Sequence, residues 1–89
     1  MSRWTLEFDS RANDDLARLN ISIRTRIIEK LDWFIENFDS ISPIPLHHEW
    51  NDFYKLRIGD FRVIYNIQWQ KNILTVCYID RRDKVYKKR

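Results

Sequence analysis

Apolar and polar residues alternate over residues 3–8, so that three large apolar side chains lie on one face and polar ones on the other. This period of two predicts a half-buried strand. Asp9-Ser10 then supplies N-cap residues, and apolar positions spaced by four and three from Ala12 predict a short amphipathic helix that ends near Asn20.

A second helical repeat covers residues 22–38 and predicts a longer helix, which forms a hairpin with the first. Its apolar positions are Ile23, Ile27, Leu31, Phe34, Ile35 and Phe38. Residues 39–52 contain both prolines of the chain together with several polar residues, and this composition predicts a loop that crosses the domain.

The period returns to two after this loop, and residues 53–58 and 61–69 predict two strands joined by Gly59-Asp60. Glycine at the first position of a two-residue loop indicates a type II′ hairpin turn, because only glycine takes a positive φ there without cost. Residues 73–79 are apolar on both faces, which predicts a strand inside the sheet rather than at its edge.

The predicted order is therefore β-α-α-β-β-β, with a possible last short strand around residues 84–87. This order predicts an α+β fold in which an antiparallel sheet packs against a two-helix hairpin. No repeat or linker divides residues 1–89, so we expect a single domain.

Several classes of chemistry have no support in the sequence. The single cysteine, Cys77, excludes an intramolecular disulfide, and its apolar strand predicts a buried side chain. His47-His48 beside Glu49 lacks the spacing of metal ligands, and neither a phosphate-binding loop nor a dinucleotide fingerprint is present. No apolar run is long enough to cross a membrane. We therefore expect a cytoplasmic protein with no membrane partner, no metal and no small-molecule cofactor.

Charge is distributed unevenly along the chain, although the net charge is only +3. Residues 1–52 carry 6 basic and 10 acidic side chains, whereas residues 53–89 carry 10 basic and 3 acidic ones. A basic half of this kind indicates a local anion-binding surface. The alternative interpretation is a short basic tail that keeps a small protein soluble.

The predicted hairpin brings three cations together. Pairing through Gly59-Asp60 places Arg57 opposite Arg62, and Lys55 follows two positions along on the same face. Because like charges opposite each other destabilise a strand pair, this face indicates either an anionic ligand or pairing with nearby acidic residues. The nearby acidic residues are Asp60, Asp80 and Asp83.

Basic residues continue into the C-terminal segment as Arg81, Arg82, Lys84, Lys87, Lys88 and Arg89. Arginine and lysine bind phosphate in complementary ways, and Tyr54, Tyr78 and Tyr86 are candidates for stacking on bases. The pattern by itself indicates contact with RNA or DNA.

The segment Tyr54-Lys55-Leu56-Arg57-Ile58-Gly59-Asp60-Phe61-Arg62-Val63-Ile64-Tyr65 resembles the signature of the RelE/ParE toxin superfamily, and residues 79–86 are similar to that family's closing segment. The resemblance implies the toxin of a type II toxin–antitoxin pair, with a fold like that of small microbial ribonucleases. A RelE-like member would inhibit translation by cleaving mRNA in the ribosomal A site, with the substrate's own 2′-hydroxyl as nucleophile and no metal.

The resemblance also implies roles for particular residues. Lys55 would be the base or a charge stabiliser, Arg57 a second cation, and Arg62 the clamp on the scissile phosphate. Arg82 would stabilise the leaving oxygen, and Tyr86 would orient the nucleotide. Further substrate contacts are expected from Arg81, Tyr54, Lys84, Lys87 and Lys88.

Two departures from the family pattern bear on these roles. Arg81 stands where many relatives carry histidine, and only 3 residues follow Tyr86, so we expect no C-terminal helix of the kind that some members have. The expected partners are a cognate antitoxin, the ribosome and mRNA. Two alternatives stay open, namely a ParE-like inhibitor of DNA gyrase without nuclease activity and a non-catalytic basic RNA-binding module.

Overall fold

The structure, a computed structural model, describes residues 3–46 and 52–81. Its helices are α1 (Ser10–Ala17) and α2 (Ile21–Glu36), and one turn of 3-10 helix follows at Phe38–Ser40. The strands in chain order are β1 (Thr5–Phe8), β2 (Ile44–Pro45), β3 (Tyr54–Ile58), β4 (Phe61–Gln68) and β5 (Ile73–Arg81).

Each helix begins at a side chain that caps its free backbone N–H groups. Asp9 and Asn20 each accept a hydrogen bond of 3.0 Å from the backbone N–H three residues later, so the predicted Asp9 cap is confirmed. α1 ends at Ala17, earlier than predicted, because Asn20 must be extended to cap α2. α2 ends at Glu36 because the chain then tightens into the 3-10 turn.

The five strands form one sheet in the order β1-β5-β4-β3-β2, so the interior position predicted for the third apolar strand is confirmed. The α+β class and the two-helix hairpin are confirmed as well. The sheet is not wholly antiparallel as predicted, since β1 pairs with β5 in parallel. That direction follows from the connection between β1 and the rest of the sheet, which crosses over through both helices. The two-residue β2 was not predicted and adds a short edge to β3.

The β3–β4 hairpin has the predicted register, in which Ile58 pairs with Phe61 and Arg57 with Arg62. Gly59 has a φ of +58°, whereas Asp60 has no positive φ. This combination is that of a type II′ turn, so the predicted turn type is confirmed.

The core lies between the helices and one face of the sheet. Val63 and Val76 pack there against Ile27 and Leu31 of α2, while a neighbouring aromatic group surrounds Tyr65. This aromatic group contains Trp4, Phe34, Phe38 and Tyr65. Because alternate residues of β3 and β4 enter this core, the residues between them are directed to the outer face of the sheet.

Two expectations from the sequence fall outside the described residues, namely the last short strand at residues 84–87 and the His47-His48 pair. Within the described residues, no helix has the length and apolar character needed to span a membrane.

Candidate functional site

Three cationic side chains share the outer face of the β3–β4 hairpin, and we call Lys55, Arg57 and Arg62 the basic face. Leu56 and Ile58 of β3 pack into the core, so the pleat directs Lys55 and Arg57 to the opposite side. Arg62 pairs directly with Arg57 and therefore lies on the same side. The sequence prediction that these three cations share one face is confirmed.

The spacing of the basic face follows from the strand geometry. Directly opposed residues such as Arg57 and Arg62 have Cβ atoms about 5 Å apart, and the diagonal from Lys55 to Arg62 is about 7–8 Å. Lys55 and Arg62 are half-buried, whereas Arg57 is exposed and donates a hydrogen bond of 3.3 Å from Nε to the carbonyl oxygen of Gly59. One phosphate group would fit within reach of all three side chains.

Acidic residues do not neutralise the whole of the basic face. Neither Lys55 nor Arg57 forms an ion pair with a carboxylate among the described residues. Asp80 is the cross-strand neighbour of Arg62 on β5, so one carboxylate lies beside the basic face. Two adjacent cations without an acidic partner form a surface that can bind an anion and stabilise developing negative charge.

Tyr54 does not join the basic face. Its ring stacks on Tyr65 with the centroids 5.8 Å apart, and its pairing with Tyr65 directs it toward the helices. Tyr54 is therefore separated from Lys55 and Arg57 by the thickness of the sheet.

Arg81 also points to the helix side of the sheet, because it pairs with Phe61, whose ring centroid lies 5.7 Å from the Arg81 guanidinium carbon. Tyr78 does lie on the outer face, opposite Ile64, and Arg11 of α1 covers its ring at 4.8 Å. The remaining predicted site residues lie outside the described residues, namely Arg82, Lys84, Tyr86, Lys87 and Lys88.

Two functional or structural residues were missed by the sequence analysis. Arg26 of α2 extends to the β3–β4 turn, where its Nη2 lies 2.5 Å from the position that a Cβ on Gly59 would occupy. Asp15 of α1 is buried and accepts a hydrogen bond of 3.0 Å from the backbone N–H of Ile79. The helical pattern gave no signal for either contact, because both residues look like ordinary polar positions of amphipathic helices.

Cys77 is buried in β5, as predicted from its apolar strand. Burial, and to a smaller extent the nearby Asp9 carboxylate, raise the pKa of its thiol to about 11. The thiol is therefore protonated near neutral pH and unsuited to act as a nucleophile. Among the described residues, no group of three or more His, Cys, Asp or Glu side chains is arranged to hold a metal ion.

One family model matches almost the whole chain. Residues 6–86 match the family described as the ParE toxin of type II toxin–antitoxin system, parDE. No curated protein matches the chain significantly.

Solved structures of toxins share the fold. The chain resembles a chain of the RelBE2 toxin–antitoxin complex of Mycobacterium tuberculosis, with a TM-score of 0.78 and 22% identity over 89% of this chain and 98% of that one. A mutant of the E. coli toxin RelE in the free state gives a TM-score of 0.76 and 24% identity, over 98% of this chain and 93% of the other. A chain of the chromosomal ParDE system of P. aeruginosa gives a TM-score of 0.71 and 15% identity, over 89% of this chain and 96% of the other.

Proposed function

The chain belongs to the ParE toxin family of type II toxin–antitoxin systems, within the RelE/ParE superfamily, and among the activities of that superfamily we propose that it has the RelE-like one, ribosome-dependent cleavage of mRNA. The observation that carries the proposal is the basic face, where Lys55 and Arg57 have no acidic partner among the described residues. Cations that have no acidic partner are available to stabilise the additional negative charge of a phosphodiester under attack.

The proposed reaction is an internal transfer at one phosphodiester of the mRNA. The 2′-oxygen attacks the adjacent phosphorus, and the bond from phosphorus to the 5′-oxygen of the next nucleotide breaks. The 2′-hydroxyl proton leaves to a base, and a proton is delivered to the departing 5′-oxygen. The products are a 2′,3′-cyclic phosphate and a 5′-hydroxyl. The phosphorus carries an additional negative charge in the transition state, and cations placed beside it lower the barrier.

Each residue of the basic face has a role in this reaction. Arg62 would clamp the non-bridging oxygens of the scissile phosphate, because guanidinium donors match two oxygens at once. Lys55 would act on the 2′-hydroxyl or stabilise the charge that develops there. Arg57 would add a second guanidinium beside that phosphate. Arg82 and Tyr86, which lie outside the described residues, would complete the site at the leaving oxygen and the base.

The first test is induced expression in a bacterium, followed by primer extension on abundant transcripts. We expect growth arrest with new 5′ ends inside translated regions, and we expect Arg62→Ala to abolish both. Lys71→Ala is the matched control, because Lys71 is an exposed cation in the turn at the opposite end of β4. Both variants should keep the circular dichroism spectrum of the wild type. Arrest with intact mRNA would contradict the nuclease.

The match to the ParE family favours a second candidate, an inhibitor of DNA gyrase that cleaves nothing. The presence of Arg81 where many RelE-like toxins have histidine agrees with this candidate. It predicts loss of supercoiling by purified gyrase and DNA damage in cells while translation continues. If neither activity is present and RNA affinity falls smoothly with salt, the protein is a non-catalytic RNA-binding module.

We also propose a cognate antitoxin as partner, by analogy with the relatives solved as toxin–antitoxin complexes. β2 covers only Tyr54 and Lys55, so within the described residues the outer edge of β3 from Leu56 to Ile58 has no strand neighbour. A cleft of about 90 Å³ adjoins this edge and is lined by apolar side chains, with Lys55 and Arg57 among its lining residues. An acidic and apolar segment that adds a strand or helix there would cover the basic face.

A further inference from the structure

We propose that Arg26 of α2 and Arg57 of β3 form a phosphate-binding site on the two sides of the β3–β4 turn, which extends the basic face around the end of the hairpin. The ligand is a backbone phosphate of single-stranded RNA next to the scissile one. This inference rests on the proposed function for the identity of the nucleic acid. It goes beyond that function because it adds Arg26 of α2, to which the proposed reaction assigns no contact.

The first observation is the environment of Gly59, the only glycine in the chain. Its φ of +58° is the backbone conformation that the turn requires, and the absence of a side chain also leaves space beside the turn. A Cβ at this position would lie 2.5 Å from Nη2 and 3.7 Å from Cζ of Arg26. The guanidinium of α2 therefore lies directly against the turn, in space that any other residue would fill.

The second observation is that Arg57 approaches the same residue from the other side of the hairpin. Its Nε donates to the carbonyl oxygen of Gly59 at 3.3 Å, so two guanidinium groups contact one turn residue. Arg62 lies directly across the strand pair from Arg57. Like charges gathered in this way repel each other, and an anion bound between them removes the repulsion.

The third observation is the charge around this end of the sheet. Arg81 pairs with Phe61, the residue that leaves the turn, so its guanidinium lies at the same end of the hairpin as Arg26. Neither Arg26 nor Arg57 forms an ion pair within the part of the chain that the structure describes. The carboxylates on these strands and their turn are Asp60 and Asp80, fewer than the arginines that surround them.

An RNA backbone suits this arrangement better than an acidic protein surface. The arginines follow a path from the outer face, past the turn, to the helix side, and an RNA strand carries one phosphate per nucleotide along such a path. Each planar guanidinium can bind two oxygens of one phosphate. A strand with its scissile phosphate at Arg62 would place its next phosphate between Arg57 and Arg26. The helix residue thus supplies a contact that holds the strand without touching the reacting atoms.

The test measures binding of a short single-stranded RNA with 2′-O-methyl groups, which cannot be cleaved by 2′-hydroxyl attack. Fluorescence anisotropy is recorded over a series of salt concentrations for the wild type, Arg26→Gln and Lys71→Gln. The logarithm of the binding constant falls linearly with the logarithm of the salt concentration. Removing one phosphate contact makes this slope less steep by about 0.7 for single strands. We expect that decrease for Arg26→Gln and none for Lys71→Gln, the control at the other end of β4. Arg26→Lys keeps the charge and should keep most of the slope.

An unchanged slope in Arg26→Gln would overturn the site, and so would a wild-type protein that does not bind this RNA. Loss of binding to an acidic antitoxin peptide in Arg26→Gln, with RNA binding unchanged, would assign Arg26 to the protein partner and would also overturn the phosphate site.

The phosphate site and the proposed nuclease activity can be refuted separately. A protein that cleaves mRNA but shows no slope change refutes only the phosphate site, whereas RNA binding with the predicted slope change but no cleavage refutes only the nuclease.

Discussion

Asp15 provides the sharpest prediction about stability, because its buried carboxylate joins α1 to β5. Its side chain is only 2% exposed, and one of its oxygens accepts the backbone N–H of Ile79 at 3.0 Å. The other oxygen binds Arg18 at 2.5 Å and Arg11 at 3.6 Å. Replacing Asp15 by alanine removes the acceptor of a buried N–H group and the anion shared by two arginines.

The cost of Asp15→Ala follows from the exposure of its partners. An unsatisfied buried N–H group costs about 1–3 kcal/mol. The arginine side chains are 64% and 40% exposed, so they regain water, and each lost ion pair contributes about 0–1 kcal/mol. We therefore expect the free energy of unfolding to fall by about 2–3 kcal/mol. Asp15→Asn keeps a carbonyl oxygen for Ile79 and should cost about half as much.

Urea unfolding followed by tryptophan fluorescence measures this loss. With a slope near 1 kcal/mol per molar urea, Asp15→Ala should lower the midpoint by about 2 M. Asp14→Ala is the matched control, because Asp14 is the exposed neighbour on the same helix and should change stability by less than about 0.5 kcal/mol. The reasoning would be refuted if Asp15→Ala were as stable as Asp14→Ala. It would also be refuted if Asp15→Asn were less stable than Asp15→Ala.

Three further predictions concern the sheet. Arg57→Thr removes the like-charge pair with Arg62, so it should raise the free energy of unfolding by about 0.2–1 kcal/mol and weaken RNA binding. A variant less stable than the wild type would contradict the repulsion between the two arginines. Because the folded-state pKa of Cys77 is raised to about 11, its alkylation should be slow at neutral pH and accelerate toward that value. Its stabilising contribution should be complete below about pH 9 and lost through pH 11, so a Cys77→Ala variant should show a smaller decline in stability over this range than the wild type. The Tyr65 hydroxyl is buried without a hydrogen-bond partner among the described residues. Tyr65→Phe should therefore leave the free energy of unfolding in urea unchanged or raise it by about 1 kcal/mol. A decrease of more than about 1 kcal/mol would show that the hydroxyl has a hydrogen-bond partner.

Local patterns were sufficient for the hairpin that carries the basic face. A two-residue loop with glycine first permits one turn type and one register, so the pairing of Arg57 with Arg62 follows from Gly59-Asp60. The interior position of β5 followed from its apolar residues on both faces. In both cases the residues that determine the structure are neighbours in the sequence.

The remaining features depend on contacts that join distant parts of the chain. Periodicity identifies β1 as a strand but does not specify that it pairs in parallel with β5. Neither the contact of Arg26 with Gly59 nor that of Asp15 with Ile79 leaves a pattern in α1 or α2, because each depends on where the helix lies over the sheet. The two-residue β2 contains Pro45 and is too short for any periodic signal.

The most direct test of the central claim is incubation of the purified protein with ribosomes paused on a defined mRNA, followed by mass spectrometry of the RNA ends. We predict cleavage in the A site that leaves a 2′,3′-cyclic phosphate and a 5′-hydroxyl, and we predict its loss in Arg62→Ala but not in Lys71→Ala. Intact mRNA in the presence of a folded wild-type protein, or equal cleavage by Arg62→Ala, would contradict the assignment of the basic face to mRNA cleavage.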